Sequence, residues 1–261
     1  MTILDIETRG AVAHLTMNAP ERLNALSDEM LAALQTTLDD LAQSADVRVI
    51  VLSGTGKAFC AGHDLRQMTA MRENADGGVA AFKNLFDRCA SVMMRIQSMP
   101  QPVIAQVHGI ATAAGCQLVA TCDLAVAASG TRFGVNGVNI GLFCSTPMVA
   151  LSRNIPRKKA FEMLTTGDFI DAARAEELGL INRVVAPDDL RSETAALADQ
   201  IASKLGSAVK LGKTAFYQQI QMAVDQAYAY TGDVMVENMQ HKDTQEGIAA
   251  FLEKRPPEWQ Q

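Results

Sequence analysis

Aromatic side chains make up only 5% of the 261 residues, and no run approaches the roughly 18 uninterrupted apolar residues that a membrane span requires. Cysteine is sparse: Cys60, Cys89, Cys116, Cys122 and Cys144 are odd in number and include no CxxC pair. That pattern argues against a disulfide framework or a zinc site and fits a reducing compartment. Positive charge is short too, with 23 Lys and Arg against 29 Asp and Glu, a formal net charge of -6. Such a chain has no electrostatic footprint for phosphate backbones, which argues against nucleic acid as a partner. The first residues, MTILDIETRG, have neither an apolar signal core nor an Arg-rich, acid-free presequence, so a soluble cytoplasmic protein is expected. What the chain does have is apolar mass, 48% hydrophobic against 20% charged, enough to bury a sizeable core.

Alternation of apolar and polar residues through Ile3-Leu4-Asp5-Ile6-Glu7 and Val12-Ala13-His14-Leu15-Thr16-Met17 predicts a hairpin turning at Arg9-Gly10. From Ser27, apolar Met30, Leu31, Leu34, Leu38 and Leu41 recur at helical spacing, with Ser27 as N-cap and Asp28 and Glu29 in the first turn. VRVIVLSG at 47–54 and VIAQVHG at 103–109 are short apolar runs that read as buried strands. Leu124-Ala125-Val126-Ala127-Ala128 makes a third, after a short helix beginning near Gly115. The rhythm of strand, glycine-bearing loop and helix predicts an α/β architecture. From Asp188 onward the strands stop and helical patterns fill 188–205, 207–230 and 233–254. An apolar face on so long a tail would be a sticky patch if left bare, which favours packing on another subunit.

The candidate chemistry lies where two strands end. The first is followed by GTGKAFCAGHDL, entering a helix near Asp64 with Leu65, Met68 and Met71 on its apolar face; the second by HGIATAAGCQL. Helix starts leave backbone N–H groups without partners and favour negative charge, and small residues let a ligand approach them. Two such loops side by side could aim two amides at one oxygen, of an enolate or a tetrahedral oxyanion. The competing explanation is tight loop packing alone.

Several segments together carry a family resemblance: Arg22-Leu23-Asn24-Ala25-Leu26, Phe59 to Leu65, His108-Gly109-Ile110-Ala111 through Gly115-Cys116, Cys122-Asp123-Leu124, Thr166-Gly167, Ala175 to Leu180, and Glu246 to Arg255. In order and spacing, over essentially its full length, the chain resembles the enoyl-CoA hydratase/isomerase (crotonase) family. The resemblance implies a spiral of ββα units over 1–187 that binds acyl-CoA, and a helical region over 188–261 that builds homotrimers or dimers of trimers. It implies no cofactor beyond the coenzyme A carried by the substrate. By matching position the oxyanion donors are the amides of His63 and Ala114. Arg22, Asn24, Ala25, Ala61, Gly62, Asp64 and Leu65 lie along the CoA, and Phe251 and Lys254 lie near its adenosine end, in the same or a neighbouring subunit. Cations suit the phosphates and small residues suit a flat adenine.

The positions of the two glutamates that serve the family's hydratases hold Gln117 and Gly137, and neither residue titrates. General acid–base groups contribute about 10² to 10⁴ in rate, so ordinary hydration is expected to suffer. Ala114 replaces a glycine of the family, which demands a negative φ or supported strain. Gly62-His63-Asp64 and Val138-Asn139-Ile140-Gly141 resemble the methylmalonyl-CoA decarboxylase branch, although a tyrosine of that branch is Cys144 here. In that reading a protonated or donor His63 binds a carboxylate or the enolate, with Cys144 and Ser145 as weak polar contacts. Cys144 as a small buried hydrophobe is the simpler alternative. A non-catalytic acyl-CoA binding or regulatory protein is the reading from another class. Gly54-Thr55-Gly56-Lys57 lacks the spacing and the following Ser or Thr of a phosphate loop. Neither a GxSxG elbow nor an HExxH helix occurs, and no metal is expected.

Overall fold

The structure is a computed structural model describing residues 2–260. β1 (Leu4–Arg9) and β2 (Val12–Met17) form the expected antiparallel hairpin, with Leu4 opposite Met17. Gly10 supplies the positive φ of 57° at its turn. α1 (Asp28–Ala42) starts where the Ser27 hydroxyl accepts a hydrogen bond from Met30 N, and it buries Met30, Leu31, Leu34 and Leu38. Then come β3 (Val49–Gly54), α2 (Leu65–Met71), α3 (Val79–Ser98), β4 (Val103–Val107), β5 (Ile110–Thr112), α4 (Ala114–Thr121), β6 (Leu124–Ala128) and β7 (Arg132–Gly134). They are followed by α5 (Pro147–Asn154), α6 (Arg157–Thr166), β8 (Ile170–Asp171), α7 (Ala172–Glu177) and β9 (Arg183–Val185). Four helices complete the chain: α8 (Leu190–Ala202), α9 (Gly206–Gln219), α10 (Val224–Gln240) and α11 (Lys242–Glu253).

Two sheets result. The larger has the order β1-β2-β3-β4-β6-β9, parallel from β2 onward, and the smaller has the order β5-β7-β8. Between β4 and β5 the chain changes sheet at His108-Gly109, where Gly109 has φ 64° and a side chain would collide with the Lys57 carbonyl. Alternation along β3 shows why both faces of the main sheet are covered. Ile50 and Leu52 enter the core with Leu15, Met17 and Leu34, whereas Val49 and Val51 meet Leu190, Leu197 and Ala198 of α8.

α8, the first helix after the boundary expected at 187/188, packs on the α/β body: a parallel sheet buries both faces and α8 covers one of them. The helix limits shift. The break expected near 231–232 falls at 220–223, between α9 and α10, and the next at His241. α10 runs through Thr231-Gly232 and packs against α9, despite the roughly 1 kcal/mol that glycine costs inside a helix.

α9 is pinned to the body by a buried ion pair. Lys213 Nζ donates to Asp123 Oδ2 at 2.7 Å, to the Ile96 carbonyl at 2.6 Å and to the Gln101 carbonyl at 2.8 Å. Asp123 also accepts from Val103 N and from the Tyr217 hydroxyl. Burial pushes the Asp123 carboxyl up and the Lys213 ammonium down, and their mutual attraction opposes both shifts. Lys213→Met leaves Asp123 buried without its counter-charge, so chemical denaturation of the variant should show a loss of about 3–5 kcal/mol.

Candidate active site

The loop after β3 and the loop after β4 run side by side, joined rung by rung. Phe59 N donates to the His108 carbonyl at 3.1 Å, Cys60 N to that of Ile110 at 3.2 Å, and Thr112 N to that of Cys60 at 3.0 Å. On the other side Ala61 N reaches the Leu23 carbonyl at 3.0 Å and Leu26 N the Gly62 carbonyl at 2.7 Å. Glycine is required at two points of this approach. A side chain at Gly115 would collide with the Cys60 carbonyl, and a methyl on Gly62, whose φ is 88°, would come within 3.2 Å of Ala114 N. His63 follows Gly62 directly, and Ala114 opens α4. Among the described residues neither the His63 amide nor the Ala114 amide has a hydrogen-bond acceptor. Ala114 is a regular first residue of α4; the positive φ sits one residue earlier, at Ala113, with φ 50°.

The side chains around this junction are neutral. The His63 ring stacks edge-on against Phe86, with centroids 5.6 Å apart, and both its nitrogens are buried without a hydrogen-bond partner. Burial lowers its pKa, as does the charge of Arg88, while the nearby Leu26 backbone opposes the shift. The protonated imidazole considered for this position is therefore corrected to a neutral ring, which still offers one N–H donor. Gln117, one helical turn beyond Ala114, is 5% exposed and its Oε1 is buried without a partner. Gly137 is enclosed: a Cβ there would strike the Leu142 carbonyl and come within 2.8 Å of Cys144 Sγ. Cys144 is itself buried, with its thiol pushed above the ordinary value by desolvation. Of the two roles expected for it, this burial suits the small packing group, which closes the space beside Gly137.

Two of the residues expected along the CoA also brace the loops internally. The Asn24 side chain is 0% exposed; its Nδ2 donates to the Thr55 and Ala58 carbonyls at 2.8 Å each, and its Oδ1 accepts from Ala19 N at 3.0 Å. With all three bonds spent on tying the 19–24 turn to the loop after β3, it has no free polar atom facing outward. Asp64 is 8% exposed; it caps α2 by accepting from Arg66 N at 2.8 Å and pairs with Arg22 at 3.6 Å. Ala25 is buried, Ala61 is half-buried, and Arg22 and Leu65 are exposed beside them. Phe251 and Lys254 are exposed on and just after α11. Met68 and Met71 of α2 pack partly buried against the core.

A spiral in which ββα units deliver two glycine-bearing loops to one junction defines a protein of the crotonase fold. The sequence pattern described as enoyl-CoA hydratase/isomerase matches residues 7–261. A crystal structure of an enoyl-CoA hydratase from Mycobacterium smegmatis has 53% identity and a TM-score of 0.95 over 99% of each chain. That of the human enoyl-CoA hydratase domain-containing protein 3 has 44% identity and a TM-score of 0.94, over 98% of this chain and 100% of the other. A putative enoyl-CoA hydratase of Thermus thermophilus is 35% identical over 95% of this chain and 97% of its own length. The chain belongs to the enoyl-CoA hydratase/isomerase family.

The expected cytoplasmic location is corrected by these comparisons. Relatives from Xenopus laevis, rat, mouse, human and zebrafish, 43–46% identical, are all named mitochondrial. The composition of Leu4–Arg9 reflects their pairing as β1 of the main sheet and does not report a location.

Sequence reasoning missed Phe86, which packs on His63 from α3, and Ala113. A phenylalanine on an amphipathic helix and an alanine between two strands of small residues look ordinary in sequence, so no local signal marks either. The neutral ring of the half-buried His63, its nitrogens enclosed, has a measurable consequence. Its NMR titration midpoint should lie below the ordinary 6.5. Because the unfolded chain takes up that proton first, the stability held by the neutral ring is present above this pH and is lost on acidification. His63→Gln should flatten that part of the pH–stability curve.

Proposed function

We propose that the protein binds an acyl-CoA thioester with its carbonyl oxygen between the amides of His63 and Ala114, and acts on it without a carboxylate acid–base pair. The observation that carries this reading is the pair of acceptor-free amides on loops whose backbones touch at Gly62. Preorganised donors of this kind stabilise charge as it develops on the oxygen, and one donor is worth about 10² to 10³ in kcat in acyl-transfer enzymes. Arg22, Ala25, Ala61 and Leu65 line the approach to the junction, with Phe251 and Lys254 at the adenosine end. The exposed apolar side chains of α9 to α11, among them Phe216, Tyr228, Met235 and Phe251, support assembly as a trimer or a dimer of trimers, which would bring a neighbour's α11 into reach of the CoA.

Ordinary hydration is the weaker part of the reading. Water must be activated by a base and the α-carbon must receive a proton, and the residues placed for this are an amide and a glycine. The enclosed space at Gly137 favours a second reading in which no base is needed. On decarboxylation of a malonyl-type thioester the electron pair of the breaking C–C bond flows into the carbonyl, CO₂ leaves, and the enolate rests on the two amides. The neutral His63 can donate one N–H to the departing carboxylate or to the enolate.

Binding of acyl-CoA, hydration of crotonyl-CoA and decarboxylation of methylmalonyl-CoA, measured side by side, test both. Tight binding is expected, with hydration well below the roughly 1–10³ s⁻¹ usual for enzymes. Hydration at full enzymatic speed would overturn the assignment of the missing pair. Binding without turnover of either substrate would leave a silent acyl-CoA binder.

The two vacant positions should also behave differently. Gln117→Glu fits the existing side-chain space and should raise hydration. Gly137→Glu should destabilise the fold by about 1–3 kcal/mol or more through overpacking without restoring activity, as denaturation and crotonyl-CoA assays would show.

A further inference from the structure

Among the described residues four other than glycine have positive φ: Leu23, Asn24, Ala113 and Lys254. Leu23 (φ 52°, ψ 37°) and Lys254 (φ 56°, ψ 40°) occupy the left-handed helical well. Ala113, at φ 50° and ψ -121°, lies outside it, in a region open in practice to glycine alone. Four hydrogen bonds clamp it there. Ala113 N donates to the Gly134 carbonyl at 2.9 Å, and the Ala113 carbonyl accepts from Gln117 N at 3.0 Å. The preceding Thr112 is fixed through its N to the Cys60 carbonyl at 3.0 Å and through its hydroxyl to Asn136 Oδ1 at 2.6 Å. The Ala113 methyl faces Gly62, where an added methyl would approach it to 2.9 Å.

We propose that Ala113 is a positioning residue that holds the Ala114 N–H on the thioester oxygen. The inference rests on the two-amide reading above. The 113–114 peptide is planar, so ψ of residue 113 sets the direction of the Ala114 N–H. Glycine at 113 would relieve the strain but open further conformations to that peptide, whereas the methyl, caught between four hydrogen bonds and the bare face of Gly62, confines it to one. Strain stored beside a charge-stabilising donor is then the cost of preorganisation.

The test compares wild type and Ala113→Gly in thermal stability and in affinity for two probes: acetoacetyl-CoA, whose enolate absorbs in the near ultraviolet, and a thioether analogue of it lacking the thioester carbonyl. Ala113→Gly is expected to melt at the same or a higher temperature and to bind the thioether unchanged. Its preference for the thioester and its enolate signal should fall about tenfold, equivalent to about 1.4 kcal/mol. A preference undiminished in Ala113→Gly overturns the inference while leaving the two-amide reading intact. A lower melting temperature with equal loss of both ligands also overturns it, assigning Ala113 a purely structural role. If wild type itself shows no preference for the thioester over the thioether, the two-amide reading fails.

Discussion

The architecture of the site depends on the close approach of two backbones, residues 59–63 against 108–115. Main chains come this near only where side chains are missing, and the glycines at 62 and 115 stand where a Cβ would meet backbone atoms of the other run. The ladder of bonds from Phe59 to Thr112 then fixes the register, so the amides at 63 and 114 are left over by geometry. Phe59 N, Cys60 N and Thr112 N are spent between the two runs, Ala61 N on the Leu23 carbonyl and Ala113 N on that of Gly134. The change of sheet at Gly109 serves the same end: it turns the chain out of β4 and lays β5 along the loop after β3, with Cys60 bridged to Ala111.

Backbone amides persist through every substitution except proline, whereas side-chain acids do not. Gln117 is enclosed and its Oε1 has no partner. Around Gly137 the Leu142 carbonyl and Cys144 Sγ fill the space that a Cβ would take, an arrangement built into the packing of the loop from 136 to 144. The His63 nitrogens are buried beside Phe86, and a ring held neutral there adds a donor without adding charge.

Much of the fold was legible in the sequence because it is carried by periodicity. The hairpin at Arg9-Gly10, the capped helix from Ser27 and the strands at 49–54, 103–107 and 124–128 all follow from alternation, helical spacing or short apolar runs. The smaller sheet was not legible, because β5, β7 and β8 have three, three and two residues, too few for any period to show. The part played by α8 was hidden for another reason: an amphipathic helix declares that it covers something, and only the main sheet's second apolar face, Val49 and Val51 among its members, says what. The two small-residue loops were recognisable as a pair through their likeness to a family. The bracing role of two residues beside them was not legible. Asn24 and Asp64 sit in the right segments, yet polar residues beside a ligand-binding loop can face the ligand or hold the loop, and hydrogen-bond partners distant in sequence decide between the two.

The C-terminal helices show how a polar attachment inside and an apolar surface outside are divided between different faces. α9 is fastened from within by Lys213, whose three donors are all satisfied at the ends of α3, β4 and α4. A buried ion pair of this quality adds little net stability compared with an apolar contact of the same size, but misplacement leaves an unpaired charge, so it fixes where the helix docks. Because the docking is specified by a polar clasp, the outer faces of the tail are free to be apolar, and Phe216, Tyr228 and Met235 remain 57%, 78% and 62% exposed. The clasp also meets α4 at the end opposite Ala114: Asp123 follows the C-cap Cys122 directly. The helix whose first amide faces the candidate site is thus anchored at its far end by α9, and the clasp and the site share one rigid link eight residues long.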